Sequence, residues 1–343
     1  MKKNIHAALF ALAAASAIFA APLSAEAQRR TNTPPPPAGA AAQPWAAPLP
    51  ASDAVLVADM RRLIAEAVPR VFDNDAKRVA DVNADIEQFR QRTGIDARQF
   101  DTVAVGARMT HPREGVTKVD HMVAVARGKF DAAAVVNAGR AAAGGRLSEQ
   151  KHAGKTLYVF SLNDQLKLFG LVKMRVSDLG MAVLDAGVLA VGEPEAVRAA
   201  IDAQEGRGVV DKALLNTARQ PGALVGFAGN VPEGAFKDID TGLPELDKSL
   251  ASIRRFHGSV GMNGTGFQLQ TILVTQTAQD ASRLRGTIDA VRSVAPALIS
   301  MAGERGQLAK SAIQNIKVTA QGTDVQLRLD LAQNELAAIM RVL

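Results

Sequence analysis

The sequence predicts an α+β protein in which mainly antiparallel sheet is covered by helices, arranged as two related units. Three observations predict it. Short apolar runs are joined by tight turns into consecutive hairpins, helices with sharp start and stop signals stand between them, and the order of these elements recurs in the second half of the chain. Successive hairpins give antiparallel pairing, and the helices between them must cover the apolar faces that pairing creates.

The chain begins with an export signal. Lys2 and Lys3 precede an Ala-rich apolar run from Ile5 to Ala21, and Ala25-Glu26-Ala27 is a small-x-small cleavage site, so residues 1–27 are expected to be a signal peptide with the mature chain starting near Gln28. The competing reading is an uncleaved membrane anchor, which is less expected because the run is Ala-rich and shorter than the ~20 apolar residues a membrane span needs. Export to the periplasm or the extracellular space is the expected address. Residues 28–50, with Pro34-Pro-Pro-Pro37 in an Ala/Gly/Gln filler, are expected to be an extended linker.

The first unit is expected over residues 51–210. Leu49 to Ala58 reads as a strand, and Asp59 caps a helix whose apolar face is Met60, Leu63, Ile64, Ala67 and Val71, interrupted at Pro69. A second helix over 75–93 stops at Gly94. Residues 100–109 and 118–127 pair as a long hairpin; Asp131 caps a helix over 132–143, stopped by Gly144-Gly145. Residues 147–161 turn at Ala153-Gly154. The stretch 163–175 carries apolar residues with no readable period. Met181 to Val191 is a hairpin turning at Gly187, and Glu193-Pro194-Glu195 opens a helix whose buried face is Val197, Ala200 and Ile201, with Gly206 as its stop. Asp211 caps a further short helix through Leu214, Leu215 and Ala218, and Pro221-Gly222 breaks the chain.

The second unit is expected over residues 221–343. A strand at 223–229 is followed by a weak helix within 234–250, then strands at 254–262 and 266–277 joined by Asn263-Gly264 in a type I′ turn. Asp280 is expected to cap a helix through Leu284, Ile288, Val291 and Val294, with Pro296 bending or ending it. Residues 313–320 and 324–331 form the last hairpin, and 334–343 a closing helix. Val325, Leu327, Leu329 and Leu331 alternate with Asp324, Gln326, Arg328 and Asp330, as one covered and one solvated face require. Both units thus read β-α-β-β-α-β-β-α, with one extra hairpin in the first; Asp131 matches Asp280, and the Asp185 turn matches the Gln321 turn.

Several of these segments carry a resemblance. The run LPASDAVLVADM from Leu49, the Gly94-Ile95-Asp96 turn leading to FDTVAVG, the ARGKFDAAAVV junction, the AGKTLYVF hairpin and the LAVGEPEAVRAAID segment resemble an uncharacterised family of exported bacterial proteins with tandem modules of this kind. The resemblance spans most of residues 49–340. It implies the fold and the export, and offers no catalytic or binding residues.

Composition bounds the chemistry. The 343 residues contain no cysteine, so there is no disulfide, no thiolate metal site and no cysteine nucleophile. The formal charge of +6 becomes +5 when Lys2, Lys3 and Glu26 are removed, but the basic residues are scattered, aromatics are 4%, and Trp45 and Tyr158 are the sole residues of their types. Nucleic-acid binding, which uses stacking platforms and concentrated basic stripes, is not expected.

His111, His121, His152 and His257 remain after cleavage, and the one carboxylate neighbour, Asp120 beside His121, is expected on the opposite strand face. Gly154-Lys155-Thr156 lacks the upstream glycine of a P-loop, its place being taken by Glu149. His257-Gly258-Ser259-Val260-Gly261 lacks the strand-to-helix turn of a nucleophile elbow. Asn263-Gly264-Thr265 is formally a glycosylation sequon whose glycine serves the turn. No catalytic, cofactor-binding or metal-ligating residue is therefore assigned. Three readings stay open: a non-catalytic extracytoplasmic module acting on an envelope protein or polymer, a carrier of an apolar ligand between sheet and helices, and an enzyme with a dispersed site. A filled core favours the first, a continuous apolar cavity the second, and convergent polar groups in a cleft the third.

Overall fold

The computed structural model describes residues 48–72, 75–93, 96–113, 116–143, 145–168, 172–236, 243–264, 266–299, 315–333 and 335. The expected signal peptide, nearly all of the expected linker with Trp45, the helix stops at Gly94 and Gly144, and the expected closing helix beyond Glu335 lie outside them. Among the described residues twelve strands form one sheet in which every pair is antiparallel. They are β1 (Ala54–Asp59), β2 (Phe100–Arg113), β3 (Val116–Gly128), β4 (Leu147–His152), β5 (Lys155–Leu168), β6 (Val172–Asp185), β7 (Val188–Gly192), β8 (Val225–Asn230), β9 (Ile253–Met262), β10 (Gly266–Thr275), β11 (Ile316–Gln321) and β12 (Asp324–Ala332). Their order is β11-β12-β10-β9-β8-β1-β2-β3-β7-β6-β5-β4. The strands of both expected units share this sheet, joined where Leu56 of β1 pairs with Phe227 of β8.

Among the described residues there are seven α-helices, most of them started by a side-chain cap. Helix α1 is composite: Met60–Arg62, a π-helical turn at Leu63–Ala67, and Val68–Val71. Asp59 caps it as expected, accepting from the Arg62 amide at 3.0 Å. Pro69 does not end it. Pro69 has no N–H to return to residue 65, and the turn before it widens to i→i+5 bonding. Helix α2 (Ala76–Thr93) follows. Asp131 caps α3 (Ala132–Ala143) through the Ala133 amide at 2.8 Å. Helix α4 (Pro194–Gln204) has Pro194 in its first turn, and Asp211 caps α5 (Lys212–Ala218) through the Ala213 amide at 2.6 Å. Helix α6 is Pro244–Ala251, and α7 is Ala278–Ile299. At α7 the cap differs from expectation: Thr277 Oγ accepts from the Asp280 amide at 3.1 Å and donates to its carboxylate at 2.7 Å, so Thr277 is the cap and Asp280 the third helical residue. Pro296 lies inside this helix.

Alternation along each strand supplies two apolar faces. On one, Val55, Val123, Val125, Ala182, Ala190 and Ala228 pack with Ala196, Val197, Ala200 and Ile201 of α4 and Leu214, Leu215 and Ala218 of α5. On the other, Ala126, Phe160, Met181 and Leu189 pack with Val135 and Val136 of α3, while Leu246 of α6 and Leu284 and Ile288 of α7 cover Leu273 and Val325. Ala67, Val71 and Phe72 of the α1 region close over Phe267 and Leu331. The architecture is α+β with helices on both faces of a large antiparallel sheet.

One turn corrects the sequence reading. Neither Asn263 nor Gly264 has positive φ, so the β9–β10 connection is not the expected type I′ turn. Asn263 instead closes a longer loop, accepting from the Gly266 amide on its side chain at 2.6 Å while its own amide donates to Gly266 O at 3.0 Å. The turn with positive φ at both positions is Ala153-Gly154, at 44° and 74°. Alanine in that region suffers a Cβ clash worth roughly 1–2 kcal/mol, and the site is exposed. Ala153→Asn is therefore expected to stabilise the protein by about 0.5–1 kcal/mol, since Asn tolerates this conformation. A lowered melting temperature would refute that turn geometry.

Candidate functional site

The first half of the sheet ends in two projecting ribbons. Pairing of β3 with β7 stops at Val123↔Gly192, and pairing of β6 with β7 stops at Gly180↔Gly192. Beyond those rungs β3 pairs with β2 alone and β6 with β5 alone, so both ribbons leave the sheet past the same end of β7. Each runs roughly 20–25 Å at ~3.3 Å per residue. The stretch 163–175 is therefore mostly strand, the far part of the β5–β6 hairpin; its tip, 169–171, lies outside the described residues.

Between the ribbons lies the start of α4, and Glu193 ties it down. Its amide donates to Met122 O at 2.9 Å, and its carboxylate accepts from the amides of His121 and Met122 at 3.1 and 3.2 Å. A bulge in the β2–β3 pairing sets His121 at φ 50°. This overturns the expectation that Asp120 and His121 point apart. The His121 Nε2 lies 3.9 Å from Asp120 Oδ1, a buried oxygen with no hydrogen bond, and Asp120 Oδ2 accepts from the Thr110 hydroxyl at 2.7 Å. The side chain of His111 is outside the described set.

His152 ends β4 and meets the last turn of α4. Its Nε2 is 3.1 Å from Asp202 Oδ2, though not in hydrogen-bond geometry, and Arg207 bonds the other carboxylate oxygen. The Arg207 guanidinium first, and His152 second, hold Asp202 below the usual carboxylate range. This fastens the edge hairpin to the helix. Arg198 of α4 bonds Gln150 of β4 and reinforces it.

His257 stands mid-strand in β9, opposite Ile272 and Ala228. Burial, with a smaller push from Arg255, lowers its pKa, while Asp324 opposes the shift. A base whose folded pKa is depressed binds fewer protons than in the unfolded chain. Its stability contribution is thus complete above the unfolded value of ~6.5 and is lost as pH falls below it. His257→Gln is expected to flatten the stability–pH curve on the acid side of pH 6.5, as read by urea midpoints across that range. An unchanged slope would reject a half-buried, neutral imidazole. Ser259 pairs with Gln270 and Gly226 inside the same strand, which is no place for a nucleophile elbow, and Gly154-Lys155 belongs to a hairpin turn.

One surface groove, of about 310 Å³, runs between α3 and the sheet. Ala132, Ala133, Val136 and Val183 give it apolar walls, while Asn137, Arg140 and Tyr158 line its polar side. Arg140 is held over the Tyr158 ring at 5.5 Å and bonds Glu149 at 2.8 Å. The sequence singled out Tyr158 only as the sole residue of its type; its meeting with Arg140 needs the α3–β5 packing. No group of three His, Asp or Glu residues among those described is placed to hold a metal ion. No helix of the described residues is long and apolar enough to cross a membrane.

No family model matches the chain, and no curated protein matches it. Among solved structures, crystal form III of TP0453 is similar at TM-score 0.45 and 10% identity, and crystal form I at TM-score 0.43 and 9% identity. Each alignment covers 86% of this chain and 96% of that chain; a likeness this loose is one of outline and carries no argument about a site.

Proposed function

We propose that this chain is an exported, non-catalytic binding or structural protein that acts on an envelope protein or polymer. The observation that carries the reading is the filled core. Leu157, Leu184, Ile201, Leu224, Leu246, Phe267 and Leu284 are each at most 1% exposed, so these large apolar side chains are closed off from solvent between sheet and helices and the outer surface is left to make contacts. The export signal supplies the address. The test is affinity capture from an envelope extract with the mature protein as bait. A stoichiometric protein or polymer partner is the expected result; turnover of a small molecule by the same preparation would overturn the reading.

The two-unit organisation belongs to this proposal, with the first unit at 51–210 and the second at 221–343. Reading outward from the β1·β8 joint, each side runs first, second, third, last and next-to-last strand of its own half, and the β4–β5 hairpin is appended at one edge. The contacting helix pairs α2·α3 and α6·α7 take equivalent places. Leu56 and Phe227, the third residue of each first strand, pair with one another, as a two-fold joint requires.

The groove under α3 favours a second reading, carriage of a small apolar ligand with a polar end near Arg140. Mass spectrometry of ligand released from the purified protein separates the two.

A further inference from the structure

Among the described strands the sheet has two outer edges, β11 and β4, and they are built differently. The β11–β12 hairpin turns at Gly322-Thr323 with positive φ at Gly322, 58°, and not at Thr323, so the turn is type II′ and Gln321 and Asp324 are its hydrogen-bonded closing pair. Bonded pairs alternate along the register. The backbone groups of Lys317, Thr319 and Gln321 therefore face β12, and those of Ile316, Val318 and Ala320 face outward. Arg292 of α7 agrees with that direction, donating to the Ile316 carbonyl. The outward groups of Val318 and Ala320 have no partner among the described residues. Their side chains pack half-buried in the α7 cluster, while Lys317, Thr319 and Gln321 are exposed on the opposite face.

We propose that β11 pairs antiparallel with β11 of a second copy of this chain, about a two-fold axis through Val318, so that two sheets join edge to edge. This is the register that uses all three outward residues: Val318 meets Val318, and Ile316 meets Ala320. Apolar side chains of both copies then fall on the α7 face. The Ile316 carbonyl, already bonded by Arg292, keeps a second lone pair for the Ala320 amide. On the other face Lys317 lies opposite Thr319, with no like charges directly opposed. A lysine commonly guards an edge strand, but Lys317 is drawn back across the hairpin to Asp330 at 3.0 Å, and the strand carries no acid. The β4 edge contrasts with this. Its Ala153-Gly154 turn makes His152 and Lys155 the closing pair and leaves Leu147, Glu149 and Lys151 outward. The equivalent register there opposes two Glu149 carboxylates, sets Leu147 against Lys151, and brings together strands on which Ser148 to Lys151 are all exposed.

Sedimentation equilibrium of the mature chain over a dilution series is expected to show a reversible dimer. Thr319→Glu, which sets a carboxylate opposite Lys317 of the second copy, should tighten it about five-fold, and Thr319→Lys should loosen it about five-fold. Neither should move the melting temperature of dilute protein, because Thr319 is exposed. The chain has no cysteine, so Gln321→Cys carries a single spin label. In the dimer the two labelled positions stand three residues either side of the axis, about 20 Å apart at ~3.3 Å per residue. A monomer from nanomolar to millimolar concentration, equal dissociation constants for the two Thr319 variants, or a dimer whose labels lie far beyond that separation overturns the inference. So does a photo-crosslinker at Thr319 that captures another protein and never a second copy.

Discussion

Gly226→Ala is expected to destabilise the protein by about 3 kcal/mol, while the same change at Gly286 should stabilise it by about 1 kcal/mol. Gly226 sits in β8 with β1 paired on one side and β9 on the other, and α5 ends directly above it. A Cβ there would lie 1.9 Å from the Ala218 carbonyl oxygen, a backbone atom on a residue with no exposed surface. Neither neighbour can yield cheaply: the strand is held by two ladders, and the helix end is held by Leu214 and Leu215 in the core. Gly286 lies in α7 on its exposed side, with nothing within 4 Å of an added Cβ, so alanine there gains only helix propensity. Urea denaturation of the two variants should give midpoint shifts of opposite sign. A Gly226→Ala protein as stable as the wild type would reject the packing of α5 on β8.

Ile201→Ala is the second large effect. Ile201 is 1% exposed on the buried face of α4, and truncating such a side chain costs about 2–5 kcal/mol, against ~5–15 kcal/mol for a whole domain. The cluster around it includes Val55, Ala104 and Val125 of the first half and also Ala228 of β8. Because β1 carries ladders to both β2 and β8, weakening this cluster is expected to lower hydrogen-exchange protection across Val225–Asn230 as well as before Pro221. Loss confined to residues before Pro221 would instead mark two separately cooperative units.

What the sequence made legible was local. Asp59, Asp131 and Asp211 cap the helices they were expected to cap, because an N-cap needs only its own side chain and an amide two or three residues on. The Gly187 turn and the alternation in β12 are equally short-range. Thr277 and Asp280 stand at capping-box spacing, in which the hydroxyl residue comes first and is the cap, so this cap was legible and Asp280 is the wrong choice for it. Asn263-Gly264 was read as a two-residue turn, but pairing of Met262 with Phe267 leaves four residues between the strands. The 163–175 stretch resisted reading because the register shifts between Ser161 and Asp164, which reverses the parity of the alternation just where the ribbon begins. Asp120 and His121 were separated by the same parity argument, and a bulge brought them together. The joints β1·β8 and β3·β7, and the meeting of Tyr158 with Arg140, depend on residues far apart in the chain, where no periodicity reports them.

The β1·β8 joint also sets a timetable. Its partners are about 170 residues apart, and β1 is among the first parts of the folded body to be made. Its other edge is taken early by β2, but the edge that meets β8 stays bare while everything up to Asn230 is added, and the waiting strand reads Ala-Val-Leu-Val-Ala. Such an edge is a template for pairing with any extended chain nearby. Folding is therefore expected to be slow and sensitive to crowding among nascent copies, and a holdase that masks Ala54–Ala58 should improve the yield of folded protein more than one acting on any later strand.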